Sequence, residues 1–128
     1  MSAESALHID THIFAALHDG EPVGIDLRAR RLIGSMQVRV SPLVLFELEL
    51  IKHKTKISIV SDAFETLREL IGLEVAHSPL VRLAQEAVRL GWTREPMDRL
   101  IVAHAIADGA RLITKDERIR ANFPGAVW

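Results

Sequence analysis

The sequence predicts an α/β domain in which a mainly parallel sheet is covered by helices on both faces. Short apolar segments alternate with helical segments along the whole chain. The length of 128 residues is typical of one domain with one core. Hydrophobic residues make up 48% of the chain, which is too high a fraction for a disordered protein. We therefore expect residues 1–128 to form a single three-layer α/β/α domain.

The composition excludes several classes of function. The chain has no cysteine, which rules out disulfides, zinc–thiolate sites, iron–sulfur clusters and thiol nucleophiles. The formal net charge of −1 gives no overall indication of a nucleic-acid partner. No apolar run reaches the ~18–20 residues that a membrane span needs, and the first residues do not resemble a signal peptide. We expect a cytoplasmic protein that does not associate with membranes.

The sequence of residues 6–40 predicts two strands and two helices. Residues 6–10 form a short apolar run that ends at a carboxylate, which predicts a buried strand. Thr11 is a favourable N-cap for a helix that residues 19–22 would end. Residues 24–35 predict a second helix, and the alternation in residues 38–40 predicts a second strand.

The rest of the chain continues this alternation. Ser41-Pro42 predicts a helix start with proline in the first helical position, followed by the apolar stretch 43–51. Ser61-Asp62 predicts the cap of the next helix. The later elements are expected at residues 63–71 (helix), 73–76 (strand), 78–90 (helix), 97–108 (helix), 111–114 (strand), 117–121 (helix) and 126–128 (strand).

Four acidic residues occupy unusual positions. Asp10 closes the first strand, and Asp116 follows a later strand after one intervening residue. Glu47 interrupts an apolar helix, where an unpaired charge is costly, and Asp98 lies in the first turn of the most apolar helix. Ligands of parallel sheets bind beyond the carboxyl ends of the strands. If the strands of Asp10 and Asp116 are neighbours, all four carboxylates can meet at one edge of the sheet.

Each acid also has a simpler explanation. A helix dipole can stabilise Asp98, Asp116 can cap a short helix, and Asp10 can begin a turn. Glu47 can pair with Lys52 or with an arginine. Four converging carboxylates cannot all ionise in a dry pocket, however, and a divalent cation resolves that conflict. Ligands that are all oxygen atoms suit Mg²⁺ or Mn²⁺, and such a site is suited to phosphodiester hydrolysis.

Four segments resemble the motifs of PIN-domain nucleases, in the same order and over essentially the whole chain. The third and fourth together are specific, whereas the first alone is weak. In size the chain is similar to the VapC toxins of bacterial and archaeal toxin–antitoxin pairs. The segments are LHIDTH at residues 7–12, SPLVLFEL at 41–48, EPMDRLIVAHA at 95–105 and LITKDERI at 112–119.

The resemblance implies a PIN-like α/β/α fold and a set of site residues. It also implies an endoribonuclease that cuts RNA, forms a homodimer and is blocked by a cognate VapB-like antitoxin. One departure is an additional acid, Asp108, which we expect to face solvent. The residues that the resemblance places in the site are the Mg²⁺- or Mn²⁺-binding acids Asp10, Glu47, Asp98 and Asp116, and the supporting hydroxyls of Thr11 and Thr114.

Basic residues are needed near such a site, because four acids must still attract an anionic RNA backbone. Lys52, Lys54 and Lys56 follow the helix of Glu47 and are the candidates for RNA contacts. Their alternative role is to complement the dipole at the end of that helix. A second basic segment, residues 28–31, is equally consistent with a solvated helix face.

Other chemistries have weaker support. His8, Asp10 and His12 alternate as the ligands of an HxDxH metal site would, but a helix that starts at Thr11 breaks the alternation. His104 is expected to be a structural histidine. There is no nucleophile-elbow motif for serine chemistry and no glycine-rich phosphate loop.

Three alternative functions remain open. The chain resembles a PIN nuclease closely enough to be a housekeeping RNA-processing enzyme without an antitoxin. It could also be a catalytically silent PIN module that binds RNA or protein, although such a module has no need for four acids. A phosphatase or receiver-like domain would use Asp10 but would not need Glu47.

The interface of the predicted homodimer is expected to include apolar side chains that one core cannot cover. These are Phe46, Leu50 and Ile51.

Overall fold

The computed structural model describes residues 6–20 and 24–128. In this part of the chain five parallel strands form one sheet in the order β3-β2-β1-β4-β5, so the predicted α/β class is confirmed. The strands are β1 (Ala6–Ile9), β2 (Gln37–Val40), β3 (Glu74–Val75), β4 (Arg111–Ile113) and β5 (Ala126–Val127).

Helices connect the strands and cover both faces of the sheet. Right-handed crossovers place the first four helices on one face and the last three on the other. In agreement, α3 packs on α1 and α4, while α5 packs on α6. The helices are α1 (Thr11–Asp19), α2 (Leu27–Ser35), α3 (Pro42–Ile51), α4 (Val60–Ile71), α5 (Leu80–Val88), α6 (Pro96–Ala107) and α7 (Glu117–Asn122), and a 3-10 turn, Lys52–Lys54, follows α3.

The strand order has a switch point between β1 and β4. From β1 the chain moves outward to β2 and β3, whereas from β4 it moves the other way to β5. The loops that leave these two strands therefore diverge and open a crevice at their carboxyl ends, where open α/β sheets bind ligands. Asp10 and Asp116, which follow β1 and β4, lie at this crevice.

The helix starts confirm one predicted cap and correct another. Ser41 caps α3 by accepting a hydrogen bond from the Leu43 N–H at 3.2 Å, and Pro42 is the first helical residue, as predicted. The prediction that Thr11 caps α1 is wrong. Asp10 is the cap and accepts from the Ile13 N–H at 3.0 Å, while Thr11 already lies in the helix. Aspartate and threonine are both favourable caps, so the sequence alone did not separate them.

Two further helix starts differ from the prediction. α4 begins at Val60 after Ile59, without a side-chain cap, so Ser61-Asp62 lies inside its first turn. α2 begins at Leu27 and is capped by Asp26, rather than beginning at residue 24. Residues 21 and 22, which were expected to help end α1, lie outside the described residues; Gly20 ends that helix in the left-handed conformation (φ 72°). These are shifts of a few residues at element ends.

The core lies between the sheet and the two helix layers. Its largest buried side chains include Leu7 and Ile9 of β1, Phe14 of α1, and Leu48 of α3. Because β1 is central and buried along its whole length, its carboxyl end is held rigidly. No helix in the described ranges is long and apolar enough to cross a membrane.

Asp108, expected to face solvent, is instead part of a polar cluster against the sheet. Its Oδ2 accepts hydrogen bonds from His8 Nε2 at 2.8 Å and from Arg39 at 2.9 Å. His8 and Arg39 are paired neighbours on β1 and β2, so both project from the same face. These two donors lower the pKa of Asp108, although burial acts in the opposite direction. The position of Asp108 at the end of the apolar helix of the third motif did not reveal these long-range partners.

Candidate active site

A pocket of about 60 Å³ opens at the switch point of the sheet. It brings together the four acids that the sequence singled out, which come from four different elements of the chain. The volume is large enough to hold water or a small ion. The lining residues are Asp10, Thr11, His12, Glu47, Asp98, Ile101, Asp116 and Ile119.

Asp10 is the most buried of the four acids, with 7% of its surface exposed. Burial raises the pKa of its carboxyl group, and the nearby Asp116 adds to the rise. Hydrogen bonds from Thr114 and from the Ile13 N–H act in the opposite direction, as does the charge of His12. The capping bond to Ile13 therefore fixes the carboxylate at the start of α1 while leaving it on the pocket wall.

Thr114 links the two strand-end acids. Its side chain is fully buried, and its Oγ1 accepts a hydrogen bond from the Asp116 N–H at 3.1 Å. The same hydroxyl interacts with the Asp10 carboxylate. Asp116 in turn caps α7 by accepting from the Ile119 N–H at 2.8 Å. The capping role proposed for Asp116 is thus real, and it coexists with a place on the pocket wall.

Glu47 is held by the second hydroxyl of the site. The Oγ1 of Thr11 donates to Oε1 of Glu47 at 2.5 Å, which joins the start of α1 to the middle of α3. The alternative pairing of Glu47 with Lys52 is not formed, because Lys52 pairs with Glu49 at 2.7 Å. The hydroxyl of Thr11 thus lies beside Glu47, and the hydroxyl of Thr114 lies between Asp10 and Asp116.

Asp98 carries the clearest electrostatic signature of the site. Its pKa is raised to about 6, first by burial and then by repulsion from Asp116, Glu47, Glu95 and Asp10. A helix dipole acting alone would lower the pKa of an acid in the first turn. Burial and, after it, crowding with the other carboxylates outweigh that effect, so the ionised form of Asp98 is disfavoured in the pocket.

The site fits a hard divalent cation in its donor chemistry and charge. Its candidate ligands are carboxylate oxygens, which Mg²⁺ and Mn²⁺ prefer, and a cation would offset the repulsion that raises the pKa of Asp98. Within residues 6–20 and 24–128, no three His, Cys, Asp or Glu side chains are already close enough to hold a metal. The acids thus converge on one pocket without forming a closed ligand shell.

The three histidines considered in the sequence analysis lie in different surroundings. His8 is buried and bonded to Asp108, so it does not share a metal site with Asp10. His104 is buried, contacts Ser41 Oγ through Nδ1 at 2.8 Å and packs edge-on against His8, in keeping with a structural role. His12 lines the acid pocket, although the sequence analysis considered it as a ligand and set it aside. The sequence feature that could have placed His12 at the pocket is its position two residues after Asp10, at the start of a helix.

The three lysines considered for RNA contacts lie beyond the C-terminus of α3. Lys52, Lys54 and Lys56 are exposed. Lys52 is paired with Glu49, and the Lys56 N–H approaches the Asp19 carboxylate at 3.5 Å. These lysines are separate from the residues that line the acid pocket.

Comparison with known proteins identifies a family model and several relatives. The family model of the PIN domain matches residues 7–122. The chain is 29% identical over 126 residues to Ribonuclease VapC22 of Mycobacterium tuberculosis, covering 94% of this chain and 96% of the relative.

The fold is similar to chains of solved toxin–antitoxin complexes. One is VapBC2 of Rickettsia felis bound to a promoter DNA fragment (TM-score 0.67, 18% identity, 95% of this chain and 96% of the other). A second is a toxin–antitoxin complex of Klebsiella pneumoniae (TM-score 0.63, 19% identity, covering 95% of this chain and 96% of the other). A third is DNA-bound VapBC of Salmonella typhimurium (TM-score 0.55, 23% identity, 94% of both chains).

Proposed function

The chain belongs to the PIN-domain family, and from that premise we propose that it is an Mg²⁺- or Mn²⁺-dependent endoribonuclease, the toxin of a VapBC-type pair. The observation that carries the proposal is the convergence of Asp10, Glu47, Asp98 and Asp116 on one pocket at the switch point of the sheet. The ribonuclease name of a relative that matches nearly the full chain supports RNA as the substrate.

The four acids would hold the cation, and the two threonines keep two of those acids in place. A bound Mg²⁺ or Mn²⁺ supplies Lewis-acid stabilisation of a phosphoryl oxygen and makes a water molecule more acidic. Thr11 orients Glu47, while Thr114 and the Ile13 N–H orient Asp10. Because these partners are fixed before substrate arrives, little reorganisation is needed when the scissile phosphate binds.

The exposed basic residues serve RNA binding in this proposal. Lys52, Lys54 and Lys56 would contact phosphates away from the cut, which offsets the repulsion between RNA and the acid pocket. We further propose that the protein works in the cytoplasm, where its RNA substrate is, and that a VapB-like antitoxin blocks it. The solved VapBC complexes that share this fold support such a partner.

The homodimer is proposed from exposed apolar surface. Phe46 and Leu50 on α3 are 54% and 55% exposed, and Ile51 beside them is only half-buried. Apolar patches of this kind are typical of interaction sites. Sedimentation at micromolar concentration is expected to give about twice the chain mass of 14.3 kDa. A species of one chain mass at every concentration would contradict the homodimer.

Cleavage of labelled RNA tests the proposed function. Purified wild-type protein with Mg²⁺ should release internal fragments, and Asp116→Asn should reduce the rate by at least about a hundredfold. Asparagine retains the N-cap of α7, so the fold should be preserved. Glu117→Gln is the matched control, because Glu117 is the neighbouring exposed acid and does not line the pocket.

The same assay separates the alternatives. RNA binding without cleavage under any divalent cation would identify a catalytically silent PIN module. Cleavage that persists equally in Asp116→Asn would place the chemistry elsewhere. A housekeeping nuclease would cut RNA as proposed but lack a neighbouring gene for a short antitoxin that inhibits it.

A further inference from the structure

A second pocket, of about 440 Å³, opens at the same edge of the sheet as the acid site. Pro42 and Leu43 of its wall follow the end of β2, and residues 76–80 follow the end of β3. Leu83 of α5 and His104 of α6 complete the lining. The volume lies within the range of roughly 300–1,000 Å³ that is usual for small-ligand sites. Nothing in the proposed reaction uses this pocket, which we call the neutral pocket.

The neutral pocket and the acid pocket share the contact between α3 and α6. On α3, Leu43 lines the first and Glu47 the second, four residues apart on one helix face. On α6, His104 lines the first and Ile101 the second, three residues apart on one face. The lining residues of the two pockets are about 6 Å apart along α3 and about 4.5 Å apart along α6. A chain bound across the acid pocket therefore reaches the neutral pocket within about two stacked nucleotides.

The lining chemistry selects an uncharged ligand with a flat apolar face. The nine lining residues, all within the described part of the chain, include no Asp, Glu, Lys or Arg, so a phosphate finds no counter-charge there. Pro42, Pro79 and Leu80 supply apolar walls, and His77 supplies an exposed imidazole suited to stacking.

One lining residue also carries an unused hydrogen-bonding atom. His104 is only 2% exposed, and its Nε2 finds no partner among the described residues. Its other ring nitrogen is already engaged with Ser41. A buried polar atom left without a partner is costly, but Nε2 has almost no surface in the pocket, so a ligand with a polar edge reaches it only if the ring turns.

From these observations we propose that the neutral pocket receives an unpaired base of the RNA, about two nucleotides from the bond that is cut. The inference rests on the proposed function and adds to it a site of substrate selection. A base has a neutral π-face for the imidazole of His77 and a polar edge for the hydroxyl of Ser78. The acid pocket would then act on the backbone while the neutral pocket reads a neighbouring base.

An abasic scan tests the inference. A single-stranded RNA that the wild-type protein cuts at one bond is prepared with one abasic nucleotide at each position flanking that bond. We expect one position, about two nucleotides from the cut, at which the missing base lowers kcat/KM by about tenfold or more. Abasic nucleotides further away should have little effect.

Two pairs of variants place that effect in the neutral pocket. Leu80→Trp puts a larger side chain at the pocket, whereas Val81→Trp changes the adjacent exposed residue of α5, which is outside the lining. His77→Ala removes the stacking ring, and His53→Ala removes an exposed imidazole elsewhere. The abasic effect should shrink to less than about twofold in the two pocket variants and remain in the two controls.

The outcomes distinguish this inference from the function on which it rests. Cleavage with no sensitive position, or with equal sensitivity in all four variants, overturns the neutral pocket as a base site and leaves the nuclease intact. If the pocket variants alter only inhibition by a protein antitoxin, the pocket is a protein-docking site and the inference is wrong. Absence of any RNA cleavage overturns both.

Discussion

Asp98→Asn protein is expected to lose RNA cleavage and, without metal, to unfold at a higher temperature than the wild type. The substitution keeps the side-chain shape and removes one of the charges that repel each other in the acid pocket. A neutral amide oxygen is also a poorer ligand for Mg²⁺ than a carboxylate. Asp98 is only partly buried, so solvent screening limits the gain to about 0.5–2 kcal/mol in the free energy of unfolding.

The gain should depend on pH in a defined direction. The pKa of Asp98 is about 6 in the folded protein and 3.8 in the reference state, so the folded form holds a proton that the unfolded form releases between these values. The ionised group therefore destabilises the fold above about pH 6, and this penalty vanishes as the pH falls towards the reference value. Melting temperatures should differ between wild type and Asp98→Asn at about pH 7.5 and converge near pH 4.

Asp62→Asn is the matched control for this comparison. Asp62 is an exposed acid in the first turn of α4, just as Asp98 lies in the first turn of α6. If Asp98 were only a favourable helix-start acid, both substitutions would cost a few tenths of a kcal/mol and neither would change cleavage. Retained cleavage in Asp98→Asn would remove Asp98 from the site and contradict the four-acid assignment.

Removal of divalent cations is expected to stop RNA cleavage completely. With the metal gone, the described residues that line the acid pocket offer four mutually repelling carboxylates and no Lys or Arg side chain. Adding Mg²⁺ or Mn²⁺ in excess over EDTA should restore the rate and raise the melting temperature, because the ion binds only the folded form.

The chelation experiment needs one control for the protein itself. Circular dichroism in EDTA should show the same helical content as before, since the core of the fold does not depend on the acid pocket. Full cleavage in EDTA, with metal removal confirmed by elemental analysis, would contradict a metal-dependent mechanism.

The sequence predicted the architecture well because its signals are local. Apolar runs that end at a carboxylate located β1 and β4, and their acids then followed from the rule that parallel strands end at one edge. Helix ends shifted by a few residues where two capping residues competed, as with Asp10 and Thr11. Glu47 and Asp98 stood out because each is an acid in an apolar helix, and the resemblance to the PIN family then gave them the same role as the strand-end acids.

What the sequence missed depends on contacts between distant residues. Asp108 was expected in solvent because nothing near it in the chain shows that His8 and Arg39 project towards it. The neutral pocket was not foreseen for the same reason, since its walls come from the ends of β2 and β3 and from α6. His12 was set aside because its neighbour suggested a helix, and the helix is what turns it onto the pocket.

The central claim is that four acids from separate elements form one site for a divalent cation. Mn²⁺ binding, measured by electron paramagnetic resonance on the purified protein, tests it most directly. We expect binding to the wild type and to Glu117→Gln, and at least about tenfold weaker binding when Asp10, Glu47, Asp98 or Asp116 is changed singly to its amide. Equal Mn²⁺ affinity in the wild type and all four amide variants would contradict the account.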